Sequence, residues 1–446
     1  MHLFCIEACS SREISNLILS GATTGLTFTT SDINLLNVVI KNSRTAVLST
    51  KTSNAANSSF VNCLFDGNQR AIDLQLFGRV LVTSTVFSNN QYGLSYRLDY
   101  SAVPGNNNSL EIRGSEFLQN TNALLNTNVL DGHSLLLRIS DSLFQESAST
   151  LINDYYCTSD IRIEIDRCSF NESRIGASSC SKYSVSVNNS SFSNSLNYYP
   201  ITFTGNCRDL VMLHSVISDN RAGGLYFNLY SSAVLRLENN LFSRNTGSQC
   251  ISLSVQTRVD LPPGNVSFVG NSFVNNSVTN VIYMNDLSPD RLDVTVMENR
   301  FENPTSKLEL YIDTLWKSNY YLDAKQNWWG GNDQSFIESR IYDFYSDFRL
   351  SIVDTSSVYM DSGMTSLVDS KAWRDFDANS SRFCGVVRKN LAISMESINV
   401  STINVKCSIH VPTNLKLQLT GSKIMNFTKL TGIVVEGWQL FVLILY

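Results

Sequence analysis

The chain has 446 residues, a formal net charge of -5 and only 16% charged residues. That length exceeds one ordinary compact domain, so the chain forms either several domains or one elongated repeat array. The charge is spread without a basic patch or polybasic segment, which argues against nucleic acid and anionic membrane surfaces as partners.

Ser, Thr and Asn together fill 138 positions, so neutral polar groups do the work that charges do on most surfaces. Stacked parallel strands give a physical reason, because equivalent side chains on successive coils would lie about 4.8 Å apart. Like charges repeated at that spacing would repel.

From the N-terminus, the opening segment MHLFCIEACSSREIS has too short an apolar run for a signal peptide. No stretch reaches the roughly 20 apolar residues of a membrane span, and WQLFVLILY, residues 438–446, is shorter still. The expectation is a segment of a longer secreted or plasma-membrane-attached chain. Ten N-x-Ser/Thr sites, Asn57, Asn171, Asn265 and Asn399 among them, match the number that 46 Asn would give by chance.

From Ile40 onward a unit recurs: apolar, any, apolar, an aromatic residue five positions on, and a polar turn residue three further. The aromatic position holds Phe65, Phe87, Phe117, Phe144, Phe170, Phe192, Ile217, Phe242, Phe273, Phe301 and Trp329, at spacings of 22 to 31 residues. Seven and five residues earlier stand pairs such as Val80 and Val82, Ile163 and Ile165, and Val294 and Val296. After the turn a second alternating pair follows, as in Ile72 and Leu74 or Leu225 and Phe227. Period-two alternation means strands with one face inward.

One coil cannot bury its own apolar face, so the coils must stack. Propellers and sandwiches need hairpins, yet Asn-Gly and Asp-Gly pairs are nearly absent. Leucine-rich repeats need a frame of constant length. The expected fold is all-β, a right-handed parallel β-helix of about twelve coils over residues 1–331, its hand taken from the general crossover rule.

Three residues after the aromatic stand Asn68, Asn90, Asn120, Asn220, Asn245 and Asn276. Asparagine tolerates the left-handed turn conformation, and its amide can bond to the Asn above and below. A structural ladder is expected in preference to a sugar- or ion-binding row.

Beyond Asn327-Trp328-Trp329-Gly330 the pattern turns helical, with Asp333 as N-cap and Ile337, Ile341 and Tyr345 on one face. A helical cap and end segment is therefore expected over 332–360, covering the solenoid end. A polar linker follows over 361–382, and the incomplete start of a second solenoid block over 383–446.

For chemistry, Glu111, Arg138 and Glu164 occupy one outward position on three successive coils, flanked by Arg113 and Asp166. An Arg between two carboxylates could serve a polysaccharide lyase, hydrolase or epimerase. The preferred reading is an alternating-sign ladder. The dense Asp and His strings of β-helix pectinases do not occur. His2, His133, His214 and His410 have no metal or triad spacing and read as turn or surface residues, so no metal and no cofactor is assigned. Trp328 and Trp329 fill the core in preference to stacking on sugar.

Cysteine pairs one coil apart suit a disulfide, which favours Cys384 with Cys407. Cys157, Cys180 and Cys207 are left between bridging and stacked thiols.

The string Asn327-Trp328-Trp329-Gly330, coupled to Phe336-Ile337-Glu338-Ser339-Arg340-Ile341-Tyr342-Asp343 and Leu350-Ser351-Ile352-Val353-Asp354, resembles the end of a β-helix block in the bark beetle (Anakonda) family. Gly432 to Gly437 is similar to a string early in that family's next block. The resemblance implies a non-catalytic, extracellular, glycosylated segment of a large cell-surface protein that organises epithelial junctions where three cells meet. It implies partners among other cell-surface or junction proteins, with homotypic contact and glycans as further options. The scavenger-receptor and lectin-like modules and the membrane span of such proteins are not visible in this sequence.

Overall fold

In the computed structural model, the alternating segments form short parallel strands that stack coil upon coil into a β-solenoid of about twelve turns. The structure describes residues 5–6, 13–28, 32–49, 56–75, 78–97, 107–126, 134–154, 160–230, 233–256, 263–285, 287, 292–313, 321–370, 374–376, 383–388, 390–394, 398, 402–405, 407–412, 414–420, 424–427, 431 and 433–435.

Each coil supplies three faces. The first face holds strands such as Gly78–Thr83, Asn107–Arg113, Ser134–Ser140 and Asp160–Asp166. The second holds three-residue strands such as Val86–Ser88, Glu116–Leu118 and Leu143–Gln145, each centred on the aromatic position. The third holds strands such as Arg70–Gln75 and Tyr92–Arg97. Strands Arg174–Asn188 and Ile201–Leu213 run unbroken from the third face of one coil into the first face of the next.

Register on the second face puts Phe65 opposite Phe87, Phe87 opposite Phe117, Phe117 opposite Phe144 and onward to Phe301. The rings stack inside the solenoid at 4.6 to 5.3 Å between centroids, interrupted only by Ile217, and the column ends with Trp329 over Phe301 at 4.9 Å. Every member of the column is fully buried. The period-two pairs of the other faces, Val80 with Val82 and Ile72 with Leu74, fill the rest of the core.

Two polar ladders line that core. Asn68 Nδ2 donates to Asn90 Oδ1 (3.1 Å) and Asn90 Nδ2 to Asn120 Oδ1 (2.9 Å). Ser147 and Ser173 continue the column, their hydroxyls accepting from the backbone N–H one coil before. Asn220, Asn245, Asn276 and Asn303 complete it through amide bonds of 2.8 to 2.9 Å.

The left-handed conformation sits elsewhere than expected. It falls on the residue before each ladder Asn from Asn68 to Asn276, as in Asn89 (φ 55°), Gln119 (φ 53°) and Asn275 (φ 55°), and on the residue three before the aromatic, as in Ser84 (φ 49°). The two tasks separate because the ladder amide must point inward to bond, whereas the residue that bends the chain carries its side chain outward.

The helix is shorter than its apolar spacing suggests. It spans Gln334–Ser339, capped by Asp333, whose carboxylate accepts from Phe336 N (2.9 Å). Ile341 and Tyr345 lie beyond it, and Ile341 is a strand residue paired with Leu310. The helix is thus a turn within a coil, not a lid: Ile341–Tyr342, Ile352–Asp354 and Val358 extend the third, first and second faces by one more coil.

The expected linker also carries structure. Leu367–Asp369 pairs antiparallel with Ser357–Tyr359, and Asp361 holds the turn by accepting from Ser366 N (2.7 Å). This hairpin gives the last edge of the second face an antiparallel partner.

The second block repeats the three-face plan at smaller scale. Gly385–Val386, Ile409–Val411 and Ile433–Val435 stack in parallel, as do Leu391–Ser394 with Leu417–Thr420 and Thr402–Val405 with Ile424–Phe427. Cys384 and Cys407 form a disulfide across its first two coils, with Cα atoms 5.4 Å apart. Non-reducing digestion should release the two cysteines in one linked peptide that reduction separates.

Cys207 is a buried thiol, while Cys157 and the side chain of Cys180 lie outside the described residues. Burial raises the Cys168 thiol to about 11. Cys63, Cys168, Cys207 and Cys250 should therefore resist alkylation at pH 8 until the chain is unfolded, a difference that mass spectrometry reads directly.

Candidate functional site

Parallel stacking brings Glu111, Arg138 and Glu164 into one outward column on the first face. Arg138 Nε donates to Glu164 Oε2 (2.7 Å), and Arg138 NH1 reaches Glu111 Oε1 (3.4 Å). Arg162 Nε lies 2.7 Å from the other oxygen of Glu164, and Arg113 pairs with Glu111. Asp166, in the next outward column, pairs with Arg167, whose Nε also binds Asp141 (2.7 Å).

Partial burial alone would raise the Glu111 carboxyl, but the guanidinium groups of Arg113 and Arg138 outweigh it and hold the group below its ordinary value. Glu164, with Glu111 behind it, raises Arg138. A general acid needs the opposite displacement, a carboxyl lifted toward neutral pH. Glu111 and Glu164 sit two rungs apart, about 9–10 Å along the axis, with a guanidinium between them where a nucleophilic water would have to lie. The arrangement is built for mutual neutralisation. Because Arg138 is 42% exposed and its carboxylate partners remain in contact with solvent, Arg138→Ala should cost no more than about 1 kcal/mol. A larger drop in thermal stability would mean that the row holds the coils together.

Over this row the face is concave. One hollow of about 790 Å³ is lined by Arg79, Glu111, Arg138, Asp160, Arg162 and Arg208 together with serines and outward aliphatic groups. A second, of about 650 Å³, continues it along the neighbouring columns past Arg113, Asp141, Asp166 and Arg167.

The histidines do not join this site. His214 is an exposed turn residue with φ 50°. His410, read as a turn or surface residue, is instead fully buried between the rings of Phe344 (5.5 Å) and Tyr321 (6.4 Å), because the second block packs onto the first there. His2 and His133 lie outside the described residues. Among the described residues no three His, Cys, Asp or Glu side chains converge as a metal site, and no helix is long and apolar enough to cross a membrane.

The block-end motif forms a second constellation, whose chemistry is structural. Asn327 is the last rung of an inward ladder two residues before the aromatic column. Its Oδ1 accepts from Asn299 N (2.8 Å) and Nδ2 (3.1 Å), while its Nδ2 donates to Val296 O and Ala324 O. Trp329 is fully buried and Trp328 half-buried. Gly330 takes φ 85° beside the Phe301 carbonyl, where a Cβ would come within 3.0 Å of the oxygen.

Arg340 is buried and binds Glu309 Oε1 (2.6 Å) and the carbonyls of Asn303 (2.6 Å) and Ser306 (2.5 Å). Burial raises the Glu309 carboxyl, opposed by Arg340 and by Asn303, which donates to its other oxygen (2.8 Å). Asp343 accepts from Tyr345 N, Val353 N and Arg374 NH1, and the Arg374 guanidinium lies 4.4 Å over the Tyr345 ring. Tyr345 O in turn accepts from Ser408 N of the second block. Arg340 and Asp343 therefore seal the last coils and, through Arg374 and Tyr345, seat the next block.

The Asn327 ladder was missed in the sequence, although its signal is present. Every residue two before the aromatic from Cys63 to Asn327 is Cys, Thr, Ser or Asn, and the run Asn240, Asn271, Asn299, Asn327 bonds rung to rung. Comparison of the chain with family models, curated proteins and solved structures finds no match in any of the three.

Proposed function

We propose that this chain is a non-catalytic structural and adhesive segment of an extracellular or cell-surface protein, a rod of tandem β-solenoids acting at cell contacts, epithelial tricellular junctions among them. The observation that carries the reading is the seam between blocks. Buried Asp343 and Arg374, with Tyr345 O accepting from Ser408 N, join the last coils of one solenoid to the first strands of another, which favours a rigid spacer of repeated blocks over a single catalytic module. The mutual pairing of the charged row on the first face supports the same reading, as does the Cys384–Cys407 disulfide, which suits an oxidising compartment.

Two measurements test it. Purified chain added to an epithelial monolayer should accumulate at cell–cell contacts, and it should release no reducing or unsaturated sugar ends from acidic polysaccharides. Steady product release that disappears in Glu111→Gln, Arg138→Ala or Glu164→Gln would overturn the proposal in favour of a carbohydrate-active enzyme. Among the glycosylation sequons, Asn57 and Asn265 are exposed on the first face and Asn171 is half-buried, whereas Asn399 lies outside the described residues. Secretion from eukaryotic cells should therefore give enzyme-removable glycans at Asn57 and Asn265, which glycopeptide mapping would locate.

A further inference from the structure

The hollow on the first face presents arginines that are oriented but not used up. Arg162 meets Glu164 through Nε, and Arg208 meets Asp209 through Nε (2.7 Å each). Both contacts run through Nε, and the two side chains are 69% and 63% exposed, which leaves their terminal nitrogens open to a ligand. Arg79 is exposed in the same column as Arg162, three rungs before it, and has no ion pair among the described residues. Rungs rise about 4.8 Å each, so these three forks mark out a line of about five coils along the solenoid axis.

Between the forks the floor is neutral. Ser109 and Ser184 offer hydroxyls, and Leu136 offers an apolar patch, all in the column that holds Arg79 and Arg162. Arg79, Arg138, Arg162 and Arg208 face Glu111, Asp160 and Asp209 in the larger hollow, a balance of one positive charge. A dense polyanion would gain little there, and an uncharged chain would leave the forks unsatisfied. What matches is a linear ligand with planar carboxylates spaced along it, each taken up by two N–H groups of a guanidinium, with hydroxyl-rich, partly apolar units between.

We propose that this hollow binds a linear uronate-bearing oligosaccharide, held by Arg79, Arg162 and Arg208 and left intact. The site goes beyond the adhesive reading and does not depend on it, since adhesion could use any other face of the rod. Because the forks stand on rigid parallel strands, the ligand finds them already spaced.

The test is calorimetric titration of the full chain with an octasaccharide of alternating glucuronate and N-acetylglucosamine, beside an uncharged chito-oligosaccharide of the same length. The uronate chain should bind, and the neutral chain should bind about tenfold more weakly or not at all. Arg162→Ala and Arg208→Ala should each weaken binding by roughly tenfold with the thermal midpoint unchanged, as expected for exposed side chains. Arg349→Ala, at a different place on the surface, should leave binding as it was. Equal binding of both sugars, tighter binding of a densely sulfated chain, or full retention in the Arg162 and Arg208 variants would overturn the proposal, as would no binding at millimolar ligand. Binding accompanied by cleavage would instead keep the site and overturn the non-catalytic reading.

Discussion

Arg340→Ala should destabilise the C-terminal end of the first solenoid by about 3–5 kcal/mol, the cost of leaving a buried charge without its partner. The variant strips Glu309 of its guanidinium partner, leaves the Ser306 carbonyl without its side-chain donor and the Asn303 carbonyl with only the Ser306 N–H among the described residues, while Glu309 itself stays buried. In a solenoid each coil contacts only its neighbours, so the loss should be local. Hydrogen exchange should quicken in Leu308–Asp313 and Ile341–Tyr342, whereas strands near Phe117 should be unaffected. The double variant Arg340→Met with Glu309→Leu separates pairing from packing. It should recover most of the stability, because a well-packed apolar pair often equals or exceeds a buried ion pair. If both variants fall equally, the bonds that Arg340 makes to Glu309 and the two carbonyls, and not the filled volume, hold these coils.

Asn245→Ala, in the middle of the longer asparagine run, should cost about 2–4 kcal/mol. Its Oδ1 accepts from both Asn220 N (3.2 Å) and Asn220 Nδ2 (2.9 Å), and its Nδ2 donates to Ile217 O (2.8 Å) and Asn276 Oδ1 (2.9 Å). The site is fully buried, so water cannot replace these partners without entering the core. With about 1–3 kcal/mol for each buried group left unpaired, two such groups account for the loss. Asn245→Asp should be worse than alanine at neutral pH, because it sets a carboxylate against the Ile217 carbonyl and the Asn276 amide oxygen. That excess should shrink as the pH falls and the carboxyl protonates. Urea unfolding at two pH values decides it, and an alanine variant within about 0.5 kcal/mol of the parent would reduce the ladder to incidental contacts.

Both predictions concern groups whose residue types were visible in the sequence and whose burial was not. The column of Phe65 to Phe301 was legible because its signal is local: each aromatic stands at a fixed distance from its own alternating pair, whatever the length of the intervening turn. The Asn ladder was legible for the same reason. Its companion ladder, ending at Asn327, mixes Cys, Thr, Ser and Asn, so no single letter repeats, although every member is a small polar group turned inward.

The helix near residue 340 went astray for the converse reason. Ile337, Ile341 and Tyr345 keep helical spacing, yet Arg340 finds Glu309 and two carbonyls inside the previous coil. Those bonds turn the chain into a strand after six helical residues. His410 was placed on the surface because nothing in its neighbourhood tells that a separate block will cover it.

The solenoid is written in the order of residues: the coil count, the inward and outward alternation, the aromatic column and the candidate charged row. Those properties depend on residues within one coil and on the identical geometry of its neighbours. The folded chain alone reveals what the block-end motif does, where the left-handed residues fall, which arginines are buried in pairs and which stand exposed along the first face. These depend on contacts between coils that do not repeat, and a pattern read by its period carries no information about the places where the period ends.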